Sequence, residues 1–155
     1  MRFRGRWSDW MERARQSSLA GRLRRVLPDR APLGSRGEAA AARYLKRQGY
    51  RIVARGDRSA LGELDLVAVD GRTVVFVEVK TWQSQSGGHP ADAVDQRKQW
   101  RLTRAALAYL KAHRLLEHNA RFDVIAVTWP PDARKPTIEH FKHAFEAVGQ
   151  GQMFS

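Results

Sequence analysis

The sequence contains no cysteine. That absence excludes disulfides, zinc–thiolate sites, iron–sulfur clusters and cysteine nucleophiles, and it fits a protein of a reducing compartment. Long apolar runs are also missing, since none approaches the ~20 residues that a membrane-spanning helix needs. The N-terminal residues lack the apolar middle segment of a secretory signal. We therefore expect a soluble, cytoplasmic protein.

Acidic residues are scarce relative to basic ones. The chain has 28 Lys and Arg against 16 Asp and Glu, which gives a net charge of +12. A field of this sign attracts polyanions, so nucleic acid is the first partner to consider and an anionic membrane surface the second. A genome composition that favours Arg codons would produce the same excess without function. Charge alone thus favours a nucleic-acid partner.

The N-terminal segment differs from the remainder because arginine dominates it. Several of its apolar residues recur at helical spacing, namely Trp7, Trp10, Met11 and Ala14. Two alternatives follow: a basic amphipathic helix that binds phosphates or a membrane surface, or a tail that becomes helical only against a partner. The end of the segment is marked by residues that interrupt helices, namely Pro28, Pro32 and Gly34. We expect a basic extension over residues 1–34 and one domain over residues 35–155.

The domain shows an α/β pattern. Periodicity predicts a helix over residues 35–48, a short strand over 50–54, strands over 62–69 and 73–80, a long helix over 91–113, a strand over 122–129 and an edge strand over 137–141. A polar turn is expected over 55–61 and a short helical tail after the last strand. Helices and strands in this order predict a mixed β-sheet with the helices packed against it.

The two clearest strands form a hairpin around the turn signal Asp70-Gly71. With a loop of two or four residues centred on this dipeptide, Asp65 lies opposite Phe76 and Glu63 lies opposite Glu78. Side chains alternate between the faces of a strand. One face of the hairpin then carries Glu63, Asp65, Glu78 and Lys80, and the other face, as the core, carries Leu64, Leu66, Val75, Val77 and Val79.

Three carboxylates on one patch of sheet repel each other unless a cation lies among them. Oxygen ligands without cysteine or clustered histidine select a hard ion such as Mg²⁺ or Mn²⁺. A nearby lysine, here Lys80, can orient an attacking water or stabilise charge on a pentavalent phosphorus. A Glu-x-Lys pair is also common on solvated strand surfaces. Asp65 and Glu78, however, interrupt apolar runs, where charge is costly, so the pattern favours a phosphodiester-hydrolysing site.

An acidic residue on one strand followed by Glu-x-Lys on the next resembles the PD-(D/E)-x-K arrangement of restriction-endonuclease-like proteins. The stretches 62–66 and 77–81 resemble, more closely, the YraN-like family of small bacterial proteins. Further matches are Gly37–Ala40, Tyr44-Leu45, Gly49-Tyr50, Ala93-Val94, Lys98, Leu102, Tyr109-Leu110, Arg121–Val124 and Ile138–His140. The resemblance covers residues 35 to 147.

The resemblance implies a restriction-endonuclease-like fold, a mixed β-sheet flanked by helices, related to archaeal Holliday-junction resolvases. It implies that Asp65 and Glu78 hold Mg²⁺ or Mn²⁺, with the carbonyl of Val79 as a third ligand. Lys80 would then be the catalytic lysine.

Two further acids match the family. Glu38 matches the acidic residue that resolvase-like relatives supply from their first helix, but its spacing from Ser35 also predicts a capping box; both roles are compatible. Glu63 matches the family's paired acid, or it simply flanks the site.

Polar and aromatic residues outside the hairpin are candidate contacts. Arg97 and Lys98 on the long helix either bind phosphates or face solvent. Trp82 and Trp100 can stack on unpaired bases, although core packing is an equal alternative for Trp100. His140 and the other histidines lack an acidic partner at zinc-site spacing, so we interpret them as surface or general polar residues.

The leading hypothesis is a metal-dependent endonuclease that hydrolyses phosphodiester bonds in nucleic acid, with DNA favoured over RNA and with branched or repair-related structures among the candidate substrates. The alternatives are a nucleic-acid-binding protein without turnover and an interaction subunit that has a nuclease fold. Relatives that act on two strands pair as dimers, so a homodimer is a further expectation.

Overall fold

The computed structural model describes residues 3–22, 31–84 and 89–149. Within these ranges the chain forms three α-helices, one 3₁₀ turn and five β-strands. In chain order they are α1 (Phe3–Arg22), α2 (Leu33–Arg47), β1 (Arg51–Ser59), β2 (Gly62–Asp70), β3 (Thr73–Trp82), the 3₁₀ turn (Pro90–Ala93), α3 (Gln96–Ala112), β4 (Ala120–Thr128) and β5 (Thr137–Phe145).

The five strands form one mixed sheet in the spatial order β1-β2-β3-β4-β5. Strands β1, β2 and β3 are antiparallel neighbours, β3 and β4 are parallel, and β5 is antiparallel to β4 at the edge. A parallel pair needs a crossover connection, and α3 supplies it. The expected α/β fold, a mixed sheet flanked by helices, is confirmed.

Helices cover both faces of the sheet. Buried residues of α2, including Ala41 and Leu45, pack on one face against Leu66 and Val77. The other face is covered by α3 and α1. The hairpin face predicted as the core is buried, since Leu66, Val75 and Val77 lie in one hydrophobic cluster. The acidic face, which was not expected to be core, is packed as well. Strands buried on both faces explain why β4 is almost continuously apolar.

Helix α2 begins at Leu33 with Pro32 at its N-cap, and Pro32 makes no side-chain capping bond. The capping box predicted for Ser35 and Glu38 is therefore wrong, because Ser35 lies inside the first turn. The predicted end of the helix is confirmed. Gly49 has a φ of +90°, and the Tyr50 N–H donates to the carbonyl of Leu45 at 3.0 Å, which is the hydrogen bond of a Schellman motif.

The hairpin turn consists of Gly71 and Arg72, since Asp70 pairs with Thr73. Gly71 takes the left-handed conformation, with φ +61°, so Asp70 stays in the strand. The predicted pairing of Asp65 with Phe76 is therefore wrong by two residues. A shift of two preserves the face that each side chain occupies.

Three expectations from local sequence are wrong because strand pairing or side-chain packing with other elements overrides them. The polar segment predicted as a turn is strand, because β1 pairs with β2 as far as Ser59. The predicted helical tail is strand as far as Phe145, since β5 pairs with β4. Leu64 packs in the cluster of Val67 and Phe76 rather than with Leu66. Pro28, predicted to mark the end of the N-terminal segment, lies outside the described residues.

Of the two alternatives for the N-terminal segment, the structure has the helix. Trp10 on α1 is 2% exposed, and its Nε1 donates to the Tyr109 hydroxyl of α3 at 3.3 Å. Burial raises the pKa of Tyr109 to about 12, so its hydroxyl stays neutral. In the ranges that the structure covers, no helix combines the length and apolar character that crossing a membrane requires.

Replacing Trp10 by Ala should lower the free energy of unfolding by about 3 kcal/mol, because a buried indole and its hydrogen bond are lost. Urea unfolding followed by circular dichroism measures this change. Arg15→Ala, an exposed position on the same helix, is the control and should change stability by less than about 0.5 kcal/mol. Equal stability of the two variants would show that α1 does not dock on the domain in solution.

Candidate active site

The site lies where β2 separates from β3. The ladder between these strands ends at the pair Leu66–Val77, whereas β3 continues beside β4 as far as Trp82. In the gap, the Val79 N–H donates to Oδ2 of Asp65 at 2.9 Å. A side-chain carboxylate therefore takes the place that a backbone carbonyl of β2 would hold in a continuous ladder.

Glu78 stands beside this gap and is 5% exposed. Its Oε1 lies 3.5 Å from Nζ of Lys80 and 3.3 Å from Nζ of Lys98. Its Oε2 is buried and has no hydrogen-bond partner in the described part of the chain. A buried acceptor without a donor costs stability, so this oxygen is a position where a ligand would be favourable.

The Asp65 carboxyl is strongly perturbed. Burial raises its pKa, the charges of Glu78 and Glu38 raise it further, and the bond from the Val79 N–H lowers it, for a net pKa of about 7. The two carboxyl groups thus compete for charge in a partly buried space. Electrostatics of this kind favour either a shared proton or a bound cation.

A glycine brings Glu38 to this region. A Cβ added to Gly37 would overlap the side chain of Thr81, whose Cβ lies 2.8 Å from that position. The first turns of α2 consequently approach β3 more closely than any larger residue would permit. The adjacent Glu38 lies near enough for its charge to raise the pKa of Asp65.

The structure brings together most of the residues predicted for the site. Asp65, Glu78, Lys80 and Lys98 meet at the separation of the strands. Glu63 does not join them, because its exposed carboxylate pairs with Arg58 of β1 at 3.4 Å.

The predicted nucleic-acid contacts lie on two elements. Arg97 is exposed on the first turn of α3. Trp82 is the half-buried last residue of β3, and its carbonyl accepts from the Trp129 N–H at 2.7 Å.

A metal ion would have few side-chain ligands here. No three His, Asp or Glu side chains of residues 3–22, 31–84 and 89–149 converge as a metal-binding group. The available donors are the two carboxylates of Asp65 and Glu78 and the neighbouring backbone carbonyl of Val79. An all-oxygen donor set with an unpaired buried Oε2 fits a hard divalent ion that keeps several waters.

Sequence reasoning missed a second buried charge network, on the opposite face of the sheet. Asp123 is fully buried, and its Oδ2 lies 2.8 Å from Nε2 of His140. Arg121 donates to Asp123 at 3.0 Å and to the Tyr50 hydroxyl at 2.9 Å. The interpretation of His140 as a surface residue is wrong, since its side chain is 4% exposed. The sequence feature that could have indicated this network is the presence of two charged residues, Arg121 and Asp123, in the otherwise apolar strand β4.

The comparisons with known proteins identify the family. The model of Uncharacterised protein family UPF0102 matches residues 37–127. The chain belongs to this family. The match includes Glu38, Asp65, Glu78, Lys80 and Lys98, and it confirms the YraN-like resemblance.

Relatives of this UPF0102 chain are similar over most of its length. It is 51% identical over 126 residues to UPF0102 protein RB9115 of Rhodopirellula baltica, covering 79% of this chain and 75% of that one. It is 53% identical over 115 residues to UPF0102 protein GSU0650 of Geobacter sulfurreducens, covering 74% and 88%. Among solved structures, Pyrococcus furiosus SfsA in complex with Ca²⁺ has a TM-score of 0.36 and 14% identity, covering 70% of this chain and 63% of that one.

The Asp123 network predicts acid-sensitive stability. Burial alone would raise the pKa of Asp123, but hydrogen bonds from His140, Arg121 and the His143 N–H, with the charge of Arg121, hold the pKa below its ordinary value of 3.8. The ionised form therefore stabilises the fold above about pH 4, and this contribution is lost as the pH falls through the lowered folded-state pKa.

Asp123→Asn should lower the free energy of unfolding by about 3 kcal/mol near neutral pH, because Arg121 loses its buried partner. Urea unfolding at a series of pH values measures this change and should show a weaker loss of stability in acid than in the native protein. Asp132→Asn, at an exposed position, is the control. A variant as stable as the native protein at neutral pH would contradict the assignment.

Proposed function

We propose that this UPF0102 chain is a metal-dependent endonuclease that hydrolyses phosphodiester bonds in nucleic acid, with DNA, including branched or repair-related structures, as the substrate. One observation carries the proposal. The Asp65 and Glu78 carboxyl groups meet where β2 separates from β3, with Oε2 of Glu78 unpaired within the described residues and two lysines beside it. Buried like charges are retained in a fold mainly where function requires them.

The proposed cofactor is Mg²⁺ or Mn²⁺. Asp65 and Glu78 would hold the ion together with the Val79 carbonyl. A bound ion of this kind supplies Lewis-acid stabilisation of phosphoryl oxygens and a more acidic water. The donor set supports the choice, since it offers oxygen atoms and neither thiolate nor clustered imidazole.

The lysines supply the positive charge that phosphoryl transfer needs. Lys80 lies 3.5 Å from Glu78, and its part-buried ammonium is placed to stabilise negative charge that develops on the phosphoryl oxygens. Lys98 reaches the same carboxylate from α3 at 3.3 Å and is 34% exposed, so it can also contact a substrate phosphate. Glu38 adds a third negative charge near Asp65, on the side of α2.

Charge on α3 supports nucleic acid as the partner. The helix carries five basic residues and no acidic one, and the basic residues are Arg97, Lys98, Arg101, Arg104 and Lys111. A basic helix that begins at the carboxylate pair would attract a polyanion toward the proposed site.

The second candidate is a nucleic-acid-binding protein without turnover. One observation favours it: Lys80 and Lys98 already neutralise Glu78, so the buried carboxylates are partly compensated without an ion. Metal binding and metal-dependent cleavage separate the two candidates.

Metal binding is testable through stability. In a chelator, Asp65→Asn should be more stable than the native protein by roughly 1 kcal/mol, because the repulsion between the two carboxylates is removed. Mg²⁺ or Mn²⁺ should raise the melting temperature of the native protein and leave that of Asp65→Asn unchanged. Differential scanning calorimetry measures both effects, with Asp132→Asn as the control. An equal response of native protein and Asp65→Asn to the ion would exclude Asp65 as a ligand.

Cleavage is tested with labelled single-stranded, duplex, flapped and four-way-junction DNA, and with matched RNA. With Mg²⁺ or Mn²⁺ the native protein should cut at least one DNA substrate. Asp65→Asn and Lys80→Ala should each lower the rate about 100-fold or more, because charge stabilisation at the phosphoryl group is lost. Lys135→Ala, at an exposed position between β4 and β5, should retain activity. Salt-sensitive binding without any metal-dependent cleavage would support the second candidate instead.

A further inference from the structure

We propose that the outer face of α3 binds an unpaired segment of nucleic acid, with Trp100 stacked on a base and neighbouring arginines on the phosphates. The direction of the segment, toward Glu78 and Lys80, rests on the proposed function. The binding surface itself does not depend on turnover. Within the described residues, the structure records no contact between Trp100 or these arginines and the Asp65–Glu78 pair.

The first observation is the exposure of Trp100. Its side chain is among the large apolar groups at the surface, with 46% of the residue exposed. The guanidinium carbon of Arg104 lies 4.7 Å from the centre of its ring. A single exposed apolar side chain is ordinary. A half-exposed indole beside a guanidinium is also the pairing that single-strand binding proteins use, because every base offers a face for stacking.

The second observation is the charge between Trp100 and the candidate active site. Each residue of an α-helix advances about 100° around its axis. Counted from Lys98, which contacts Glu78, the arc that leads to Trp100 is occupied by Arg101, Arg97 and Arg104. All three arginines are exposed. They form a continuous positive surface from the indole to the carboxylates.

The charge of this surface is not offset along the helix. Asp95 precedes α3, but its side chain caps the helix by accepting from the Lys98 N–H at 2.8 Å. The exposed arginines are therefore complementary to a phosphate backbone.

The indole distinguishes an unpaired strand from a duplex. Bases inside a duplex are stacked on each other, so a surface tryptophan cannot stack on them, and a duplex would engage the arginines alone. An unpaired strand can engage both. The surface thus predicts a preference for single-stranded regions, which flaps, loops and junctions contain.

The experiment measures binding by fluorescence anisotropy in a chelator, so that metal-dependent cleavage does not interfere. The probes are a labelled single-stranded oligothymidylate and a labelled blunt-ended duplex of equal charge. Trp100→Ala should weaken binding of the single strand about tenfold and leave binding of the duplex nearly unchanged. Trp100→Phe should retain most of the affinity, since it preserves a stacking surface. Leu116→Ala, another exposed apolar position, is the matched control.

Arg101→Gln separates charge from stacking. It should weaken the binding of both probes and reduce the dependence of affinity on salt. Single-strand affinity that is unchanged in Trp100→Ala, or lost equally for both probes, would overturn the proposal. Binding that depends on Trp100 without any metal-dependent cleavage would uphold this inference and reject the nuclease. Cleavage without dependence on Trp100 would do the reverse.

Discussion

The hydrogen bond from the Val79 N–H to Asp65 is the interaction on which the candidate site depends. A buried backbone N–H must find an acceptor, and in a continuous sheet a carbonyl of β2 would provide it. Because the Asp65 side chain provides the acceptor instead, β2 can separate from β3 without leaving the Val79 N–H unpaired. In the observed register a continued ladder would set Asp65 opposite Glu78 on the sheet face, with no space between the strands. The gap instead turns the Asp65 carboxylate in between the strands, beside Glu78.

The two faces of the sheet treat a buried aspartate in opposite ways. Asp123 is surrounded by donors and a cation, so its ionised form is favoured and its pKa lies low. Asp65 is partly buried beside other carboxylates, and burial together with their charges raises its pKa to about 7. The first arrangement is typical of a structural network and the second of a site that needs an added charge. The Asp65 site thus lowers the stability of the fold, whereas the Asp123 network raises it.

Local sequence was sufficient for α2, the β2–β3 hairpin, β4 and the acidic residues, but not for the full extent of β1 and β5. Asp65 and Glu78 could be predicted because each interrupts an apolar run, and the same reasoning applied to Asp123 would have found the second network. The register of the hairpin could not be predicted, since it depended on whether Asp70 or Gly71 is the first residue of the turn. The predicted pairing was wrong by two residues, and an even shift leaves each side chain on its predicted face of the strand. The docking of Trp10 on Tyr109 and the burial of His140 involve partners far apart in sequence, which local patterns do not encode.

The position of Trp10 has a mechanical consequence. Helix α3 is one rigid rod, held near its far end by the contact between Trp10 and Tyr109 and meeting Glu78 at its near end through Lys98. The two contacts are separated along the rod by roughly 16 Å. A crossover helix that packs through aliphatic side chains can slide along its sheet, and a second attachment point restrains that sliding. Helix α1 therefore gives α3 a second attachment point, at the end of the helix remote from Glu78.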